Sequence, residues 1–519
     1  VKGEGVKPPL AEGQACFRAS GWVEYAAMAS LPSAPKPLRV LVAASEAAPF
    51  AKAGGLGDVV SGLSKELVHR GHEVRVVMPL YRAVDRARWG LEPGPGTCVH
   101  FGHGEECWAG VWQGRMDGRV PVWFVDHARF FDRPGIYDDG TREYADNAYR
   151  FGFLSKAALQ LCKDWDWIPD VIHVHDWQTA VLPAFLRTWD RVLSPLSGCA
   201  TVLTIHNIGY QGVYTPDAME FFGLGGEYFQ SHIFEDHGRI NLLKAGLYFA
   251  DKITTVSPTH ARELLDPVGG CGLAPYLQRR QADLSGILNG ADYEIWDPRT
   301  DPALPSPFSA ASLEGKAVCR DRLRAHFGLE PGPAPVFGIV SRLVAQKGMD
   351  ILRRMLEGAV RHCALQLVVL GTGEPEAHAF FDDLARRYPG RVGVHIGFSN
   401  DLSRLVYAGS DFFLMPSLYE PCGLSQMYAM RYGSIPVVRA TGGLGDTVRD
   451  GQTGIVFQPP SPGDAYHAVE RAVQCWYDRP DEYRAMQARA MATQFTWEHS
   501  AAAYEAVYAG ARENALQRP

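Results

Sequence analysis

From Leu38 onward, short runs of β-branched and apolar residues alternate with stretches in which apolar positions recur at helical spacing. This is the pattern of βαβ units on a parallel sheet. In the first half LRVLVAAS, EVRVVMP, VPVWFVDH, DVIHVHD, ATVLTIHN, KITTVS and LSGILNG predict strands; in the second, VFGIVSR, LQLVVLG, RVGVHIG, DFFLMPS, SIPVVRA and TGIVFQ do. Between the first two runs, SGLSKELVHRG has helical spacing and closes on Gly71, a helix stop. Each half therefore reads as a doubly wound α/β domain. The predicted division is a loose, proline-bearing extension over residues 1–37, one domain over 38–290, a second over 291–480, and a helical tail over 481–519. The break after Gly290 is marked by ADYEIWDPRTDPALPSPFS, rich in turn formers. The tail, carrying Trp497, Tyr504 and Tyr508, is long enough to pack across both domains.

Open parallel sheets bind ligands beyond the carboxyl ends of their strands. In the first half those ends carry Ser45-Glu46, Asp126-His127, His175-Asp176, His206-Asn207, Ser257 and Asn289; in the second, Ser341-Arg342, Gly371, Ser417 and Glu420. A single polar tip is ordinary, because the chain is leaving the core there. Its repetition along both sheets predicts two polar-tipped edges facing one deep cleft.

Composition narrows the class. With 46% hydrophobic and 21% charged residues the chain can bury large cores, and its 51 basic against 58 acidic residues offer no general attraction to nucleic acid or anionic membrane. An anionic ligand must then be held by a local cluster. The ten cysteines are scattered singly, without C-x-x-C pairs or zinc spacing, which points to free thiols in a reducing compartment. No apolar run approaches the roughly 18–20 residues of a membrane span, and no secretion signal is evident at the start. The expectation is a cytoplasmic protein, or a stromal one if its source has plastids.

Three segments could carry chemistry. KAGGLGDVV, residues 52–60, follows the first strand and opens a helix. Its glycines can expose N–H groups to an anion beside Lys52, or simply make a tight turn. It lacks G-x-G-x-x-G, and Asp58 comes too early to be the ribose-binding acid of a dinucleotide site. In SRLVAQKG, Arg342 and Lys347 sit just past a strand, where a guanidinium fork and an ammonium suit a departing diphosphate, although two basic residues taken alone read better as a solvated surface pair. In LYEPCGLSQMYAMRYG, Glu420 and the N–H groups of Gly423, Leu424 and Ser425 stand at a predicted helix start, with Pro421 placed to open it. Cys422 has no base near it in sequence and reads as a packed small residue. His206, followed by Asn207 and Gly209, is a better functional candidate than His175, which strand alternation buries. Asp164-x-Asp166 precedes a strand, as a helix-to-strand loop would, and no obligatory metal or other cofactor is expected. GGLGD recurs in TGGLGDTV, residues 441–448, after a late strand and out of register with a domain duplication.

From about Leu38 to Val507 the chain resembles the bacterial glycogen synthases and plant starch synthases, glycosyltransferase family 5. The resemblance rests on SEAAPFAKAGGLGDV, DVIHVHDWQTA, TIHNIGYQG, TTVSPTHARE, GILNGAD, SRLVAQKG, PSLYEPCGLSQM and TGGLGDTV in that order. It implies the GT-B fold, two Rossmann-like domains across a cleft with a C-terminal helix crossing back, and retaining glucosyl transfer from ADP-glucose to an α-1,4-glucan such as glycogen, starch or a maltooligosaccharide. Nucleic acid and membrane are not implied partners. The resemblance assigns catalysis to Glu420, His206, Arg342 and Lys347. Donor binding falls to Lys52, Gly54, Gly55, Asp58, Asp176, Asn207, Asn289, Gln346, Cys422, Gly423, Leu424 and Ser425, and an acceptor-side role to Tyr137. TGGLGDTV would be a cleft-facing loop near the nucleotide. Two positions depart from the family's habit: Ala53 where threonine is frequent, and Phe398 where tyrosine is, which leaves nucleotide preference open. The alternatives are a related transferase using UDP-glucose or a small acceptor, and a glucan-binding scaffold without catalysis. A nicotinamide dehydrogenase fits poorly without its glycine fingerprint.

Overall fold

The computed structural model describes residues 36–518; most of the predicted extension over residues 1–37 lies outside them. The first half supplies β1 (Arg39–Ala43), β2 (Glu73–Pro79), β3 (Glu92–His100), β4 (Glu106–Met116), β5 (Val120–Asp126), β6 (Val171–His175) and β7 (Ala200–Ile205). A small sheet of β8 (Val213–Tyr214), β9 (Glu235–Asp236) and β10 (Arg239–Asn241) follows, then β11 (Lys252–Thr255) and β12 (Leu284–Gly286). The second half supplies β13 (Val336–Leu343), β14 (Gln366–Gly373), β15 (Val392–Ile396), β16 (Phe412–Met415), β17 (Ile435–Arg439) and β18 (Ile455–Phe457).

The second sheet runs β15-β14-β13-β16-β17-β18, all parallel. Taken in chain order this is the 3-2-1-4-5-6 arrangement of a doubly wound fold, whose switch point lies between β13 and β16. The nine-stranded first sheet runs β12-β11-β7-β6-β1-β2-β5-β4-β3, with its switch point between β1 and β6. Its last two strands depart from the predicted pattern. β3 and β4 pair antiparallel and extend the sheet beyond β5. EPGPGTCVH carries Pro93 and Pro95, which a strand tolerates only at an edge, and β3 is the edge, with an irregular register between Gly94 and Thr97.

Buried apolar side chains form two clusters. One gathers residues from Leu38 to Ile287 and adds Trp497, Ala501, Tyr504, Tyr508 and Ala511; the other runs mainly from Ala291 to Met491. The tail is two helices instead of one. Pro480–Ala492 packs in the second cluster, and Trp497–Leu516 returns to the first. Where the chain crosses back, Ala291 donates its N–H to the Phe495 carbonyl at 2.8 Å, so outgoing and returning segments are bonded to each other. Trp497 seats against glycines: a methyl built on Gly62 would lie 2.2 Å from the indole, and one on Gly290 2.5 Å from the Trp497 backbone nitrogen.

Candidate active site at the facing sheet edges

The segment after β1 is held by an acid. Glu46, 3% exposed, accepts the N–H groups of Ala53 (2.6 Å) and Gly54 (3.0 Å) through one oxygen and the Tyr137 hydroxyl (2.5 Å) through the other. Ser45 and Tyr137 hydroxyls lie 2.8 Å apart. Tyr137 therefore buttresses the glycine loop from beneath, and burial beside Glu46 raises its pKa well above the ordinary phenol value. The helix Gly55–His69 opens straight from this loop. Lys52 and Asp58 face each other at 2.8 Å, both partly exposed.

Across the switch point, Asp176 follows β6 with φ of 52°, in the left-handed region that aspartate tolerates better than most residues. Its carboxylate accepts the backbone N–H groups of His206 (2.7 Å) and Asn207 (3.3 Å), tying the β6 and β7 tips together. Burial pushes its pKa up to about 7, against those two bonds. His206 and Asn207 stand partly exposed, and burial pulls His206 down to about 3. Asn289, after β12, lies against Cys422 of the second half.

On the facing edge, Arg342 stands exposed one residue before the end of β13 and donates to Gln346 at 3.3 Å; Gln346 in turn donates to the Tyr419 carbonyl at 3.3 Å. Lys347 meets Glu420 at 2.5 Å, and Ser417 donates to the same carboxylate oxygen at 3.1 Å. Glu420 is 6% exposed and is spent on this pair, not on capping the following helix. That helix begins at Ser425, later than the Pro421 start the sequence predicts, because Gly423 takes φ of 74° first. Gly423, Leu424 and Ser425 are all partly exposed. Cys422 is buried, and burial raises its thiol to about 12. A methyl built on Gly55 would stand 4.0 Å from Leu424, so the two glycine-bearing loops confront each other.

TGGLGDTV lies elsewhere than predicted. Its helix, Gly442–Thr447, packs behind the Glu420 loop, where a methyl on Gly442 would come 2.0 Å from the Glu420 carbonyl and one on Gly443 2.1 Å from that of Cys422. Its polar groups join the two halves. Asp446 accepts from Thr259 N–H (2.8 Å) and hydroxyl (2.6 Å), and Glu263 accepts from Thr441 (3.0 Å) and the Gly442 N–H (2.9 Å). Ser257 donates to the Pro421 carbonyl at 2.6 Å. The two copies of GGLGD thus do different work, one presenting Lys52 and the other docking the halves.

The structure brings Lys52, Gly54, Gly55 and Asp58, the Asp176–His206–Asn207 group, Asn289, and the Arg342–Gln346–Lys347, Glu420 and Cys422–Ser425 segments to the facing carboxyl edges. Tyr137 sits under the Lys52 loop. Sequence reasoning missed Tyr419, whose hydroxyl reaches Asn207 and Gly209 from the opposite half. It also missed the anchoring part of Glu46, for which the strand-tip position was the signal. Asp164, remote from this edge, ends a helix and accepts from Thr97 and Gln160. Among the described residues, Cys98, His100 and Glu106 on the outer hairpin are close enough to share an ion.

Comparison with known proteins agrees with this architecture. Residues 39–279 match the family described as starch synthase catalytic domain, and residues 322–492 that described as glycosyl transferases group 1. Glycogen synthase 1 of Geobacter sulfurreducens is 47% identical over 92% of this chain and 97% of its own length. The glycogen synthase of Myxococcus xanthus is 46% identical over 91% and 99%. The catalytic domain of starch synthase IV from Arabidopsis thaliana, solved bound to ADP and acarbose, superposes with a TM-score of 0.85 at 34% identity, covering 92% of this chain and all of that one (100%). The chain belongs to the glycogen synthase and starch synthase family of glucosyltransferases.

Proposed function

We propose that the protein transfers glucose from ADP-glucose to the non-reducing end of an α-1,4-glucan with retention of configuration. The observation that carries this reading is the meeting of the Lys52 loop with the Glu420 loop, Gly55 against Leu424, beside a Lys347–Glu420 pair and an Arg342 whose partner is the neutral Gln346.

Charge building on the departing diphosphate is the main barrier to breaking a glucosyl–phosphate bond, and fixed cations lower it. Arg342, whose partner Gln346 is neutral, is the cation readiest for a phosphate. Lys52 and Lys347 are already paired with carboxylates, so a diphosphate competes with Asp58 and Glu420 for them. Glu420 takes Lys347 and Ser417 both on Oε2, which leaves Oε1 to accept from a sugar hydroxyl. That is a positioning role, and the acceptor hydroxyl then attacks on the face the diphosphate leaves. It differs from the two-carboxylate geometry of a glycosidase. A glucosyl ester trapped on Glu420 would overturn it. The nine described cysteines are free thiols, which supports work in a reducing compartment such as the cytoplasm.

A second reading, UDP-glucose as donor, is left open by Phe398, which stands 79% exposed after β15 and lacks the hydroxyl usual in the family. The deciding experiment supplies glycogen with labelled ADP-glucose or UDP-glucose and follows diphosphate release and label in glucan, with Glu420→Ala as control. Incorporation from ADP-glucose that the substitution abolishes is expected. Preference for UDP-glucose would establish the second reading, and incorporation from neither donor would overturn both.

A further inference from the structure

Behind His206 lies a column of buried imidazoles. His206 Nε2 is 3.0 Å from His175 Nδ1, and the His175 ring lies against His173 with centroids 4.2 Å apart and planes tilted by 34°. His173 is satisfied at both nitrogens, by the Tyr508 hydroxyl at 3.0 Å and the Thr204 hydroxyl at 2.6 Å. His175 is not: its Nε2 is fully buried without a hydrogen-bond partner. No acid contacts any of the three rings among the described residues, since Asp176 is engaged with backbone N–H groups, and burial holds all three pKa values low. The rings are therefore neutral, and one proton lies between His175 and His206.

Two arrangements are open to it. If His206 donated from Nε2, the proton of neutral His175 would sit on its own Nε2, an N–H buried with nothing to receive it. If His175 donates from Nδ1, its Nε2 is a bare lone pair instead. Buried N–H groups without acceptors are the rarer defect in folded proteins, under-satisfied acceptors the more tolerated one. The second arrangement leaves His206 Nε2 accepting and obliges it to carry its proton on Nδ1.

We propose that His175 is a positioning residue that locks His206 in the Nδ1–H tautomer, so that the cleft is offered a fixed N–H donor and not a basic lone pair. Nδ1 has no protein partner among the described residues. Resting on the proposed glucosyl transfer in this cleft and on the catalytic part the resemblance gives His206, this makes His206 a hydrogen-bond donor to a sugar oxygen and excludes it as general base.

The test is two-bond ¹H–¹⁵N correlation on the whole protein labelled at histidine, with the His206 signals assigned by their loss in His206→Gln. The wild type should show a protonated Nδ1 and an unprotonated Nε2 on His206. His175→Leu, which removes the donor, should release that tautomer and lower kcat at least tenfold with little change in donor KM. His175→Asn, whose amide N–H can replace Nδ1–H, should restore the tautomer and most of kcat. A proton on Nε2 in the wild type, or an unchanged tautomer in a folded His175→Leu, overturns the proposal. The spectrum needs no substrate, so it stands or falls apart from the donor and acceptor assignments. If His175→Leu does not fold, the wild-type and His175→Asn spectra still decide.

Discussion

Glu46→Gln isolates what the anchoring acid contributes. The wild-type carboxylate accepts two backbone N–H groups from the Lys52 loop, at 2.6 and 3.0 Å, and one phenolic hydroxyl. A hydrogen bond to a charged acceptor contributes about 1.5–3 kcal/mol and a neutral one about 0.5–1.5 kcal/mol. Glutamine keeps the shape: its carbonyl can serve the loop and its amide can donate to Tyr137, whose own proton turns to Ser45. Each loop bond then weakens by about 1 kcal/mol, or about 2 kcal/mol together, equivalent to about 30-fold when a tenfold change is about 1.4 kcal/mol. The fold pays no matching penalty, because Ala53 and Gly54 are exposed and rehydrate if the loop lifts, while a buried anion has been removed. We therefore expect kcat/KM for ADP-glucose to fall about 30-fold with a melting temperature within a few degrees of wild type. The assay is initial-rate diphosphate release over a donor series, with differential scanning calorimetry on the same samples. A kcat/KM within threefold of wild type, or a loss that tracks falling stability, would refute the reasoning.

Other outcomes follow from the same structure. Gly62→Ala places a methyl 2.2 Å from the Trp497 indole and should destabilise the protein by about 1–3 kcal/mol, readable as an earlier urea midpoint; an unshifted midpoint would contradict the packing. Neutral His173 and His206 stabilise above their unfolded value near 6.5, and that stability is lost as pH falls toward about 3; His175, held well below its ordinary value by burial, acts in the same direction, whereas Asp176 stabilises below about 4 and loses its contribution as pH rises to about 7. Asp176→Asn removes the opposing contribution, so stability should fall more steeply on acidification from pH 7 to 4; a flatter urea-midpoint profile would count against the assignment. Asp446→Ala deletes both bonds to Thr259 and should raise the small-angle scattering radius of gyration by loosening the halves, with ADP restoring compaction by bridging them. An identical radius in all states would exclude such opening.

The parallel core was legible because its central strands are buried on both faces and therefore spelled in continuous apolar and β-branched runs such as the VLVA of β1 and ATVLTI. β3 was not, since an edge strand escapes that demand and EPGPGTCVH looks like a turn. The site followed the same division. Residues at strand ends announced themselves by position, but their partners did not. Lys347 and Glu420 are 73 residues apart, and His175 and His206 are 31 apart. His175 is buried as expected, though with every residue of β6 and not by alternation, and a one-dimensional pattern cannot show that the buried ring touches the functional one. TGGLGDTV misled because a glycine-rich helix start has the same spelling whether its N–H groups meet a phosphate or the Glu263 carboxylate.

The return of the last helix has a consequence for the order in which the protein is made. Trp497, Ala501, Tyr504, Tyr508 and Ala511 belong to the core of the half synthesised first. A ribosome releases sequence in one direction and domains ordinarily complete themselves as they emerge. Here the first half must wait, with Gly62 and the buried face of β7 uncovered, through the synthesis of the whole second half. The half begun first is finished last, so a nascent chain stalled before Trp497 holds a closable second core and an open first one.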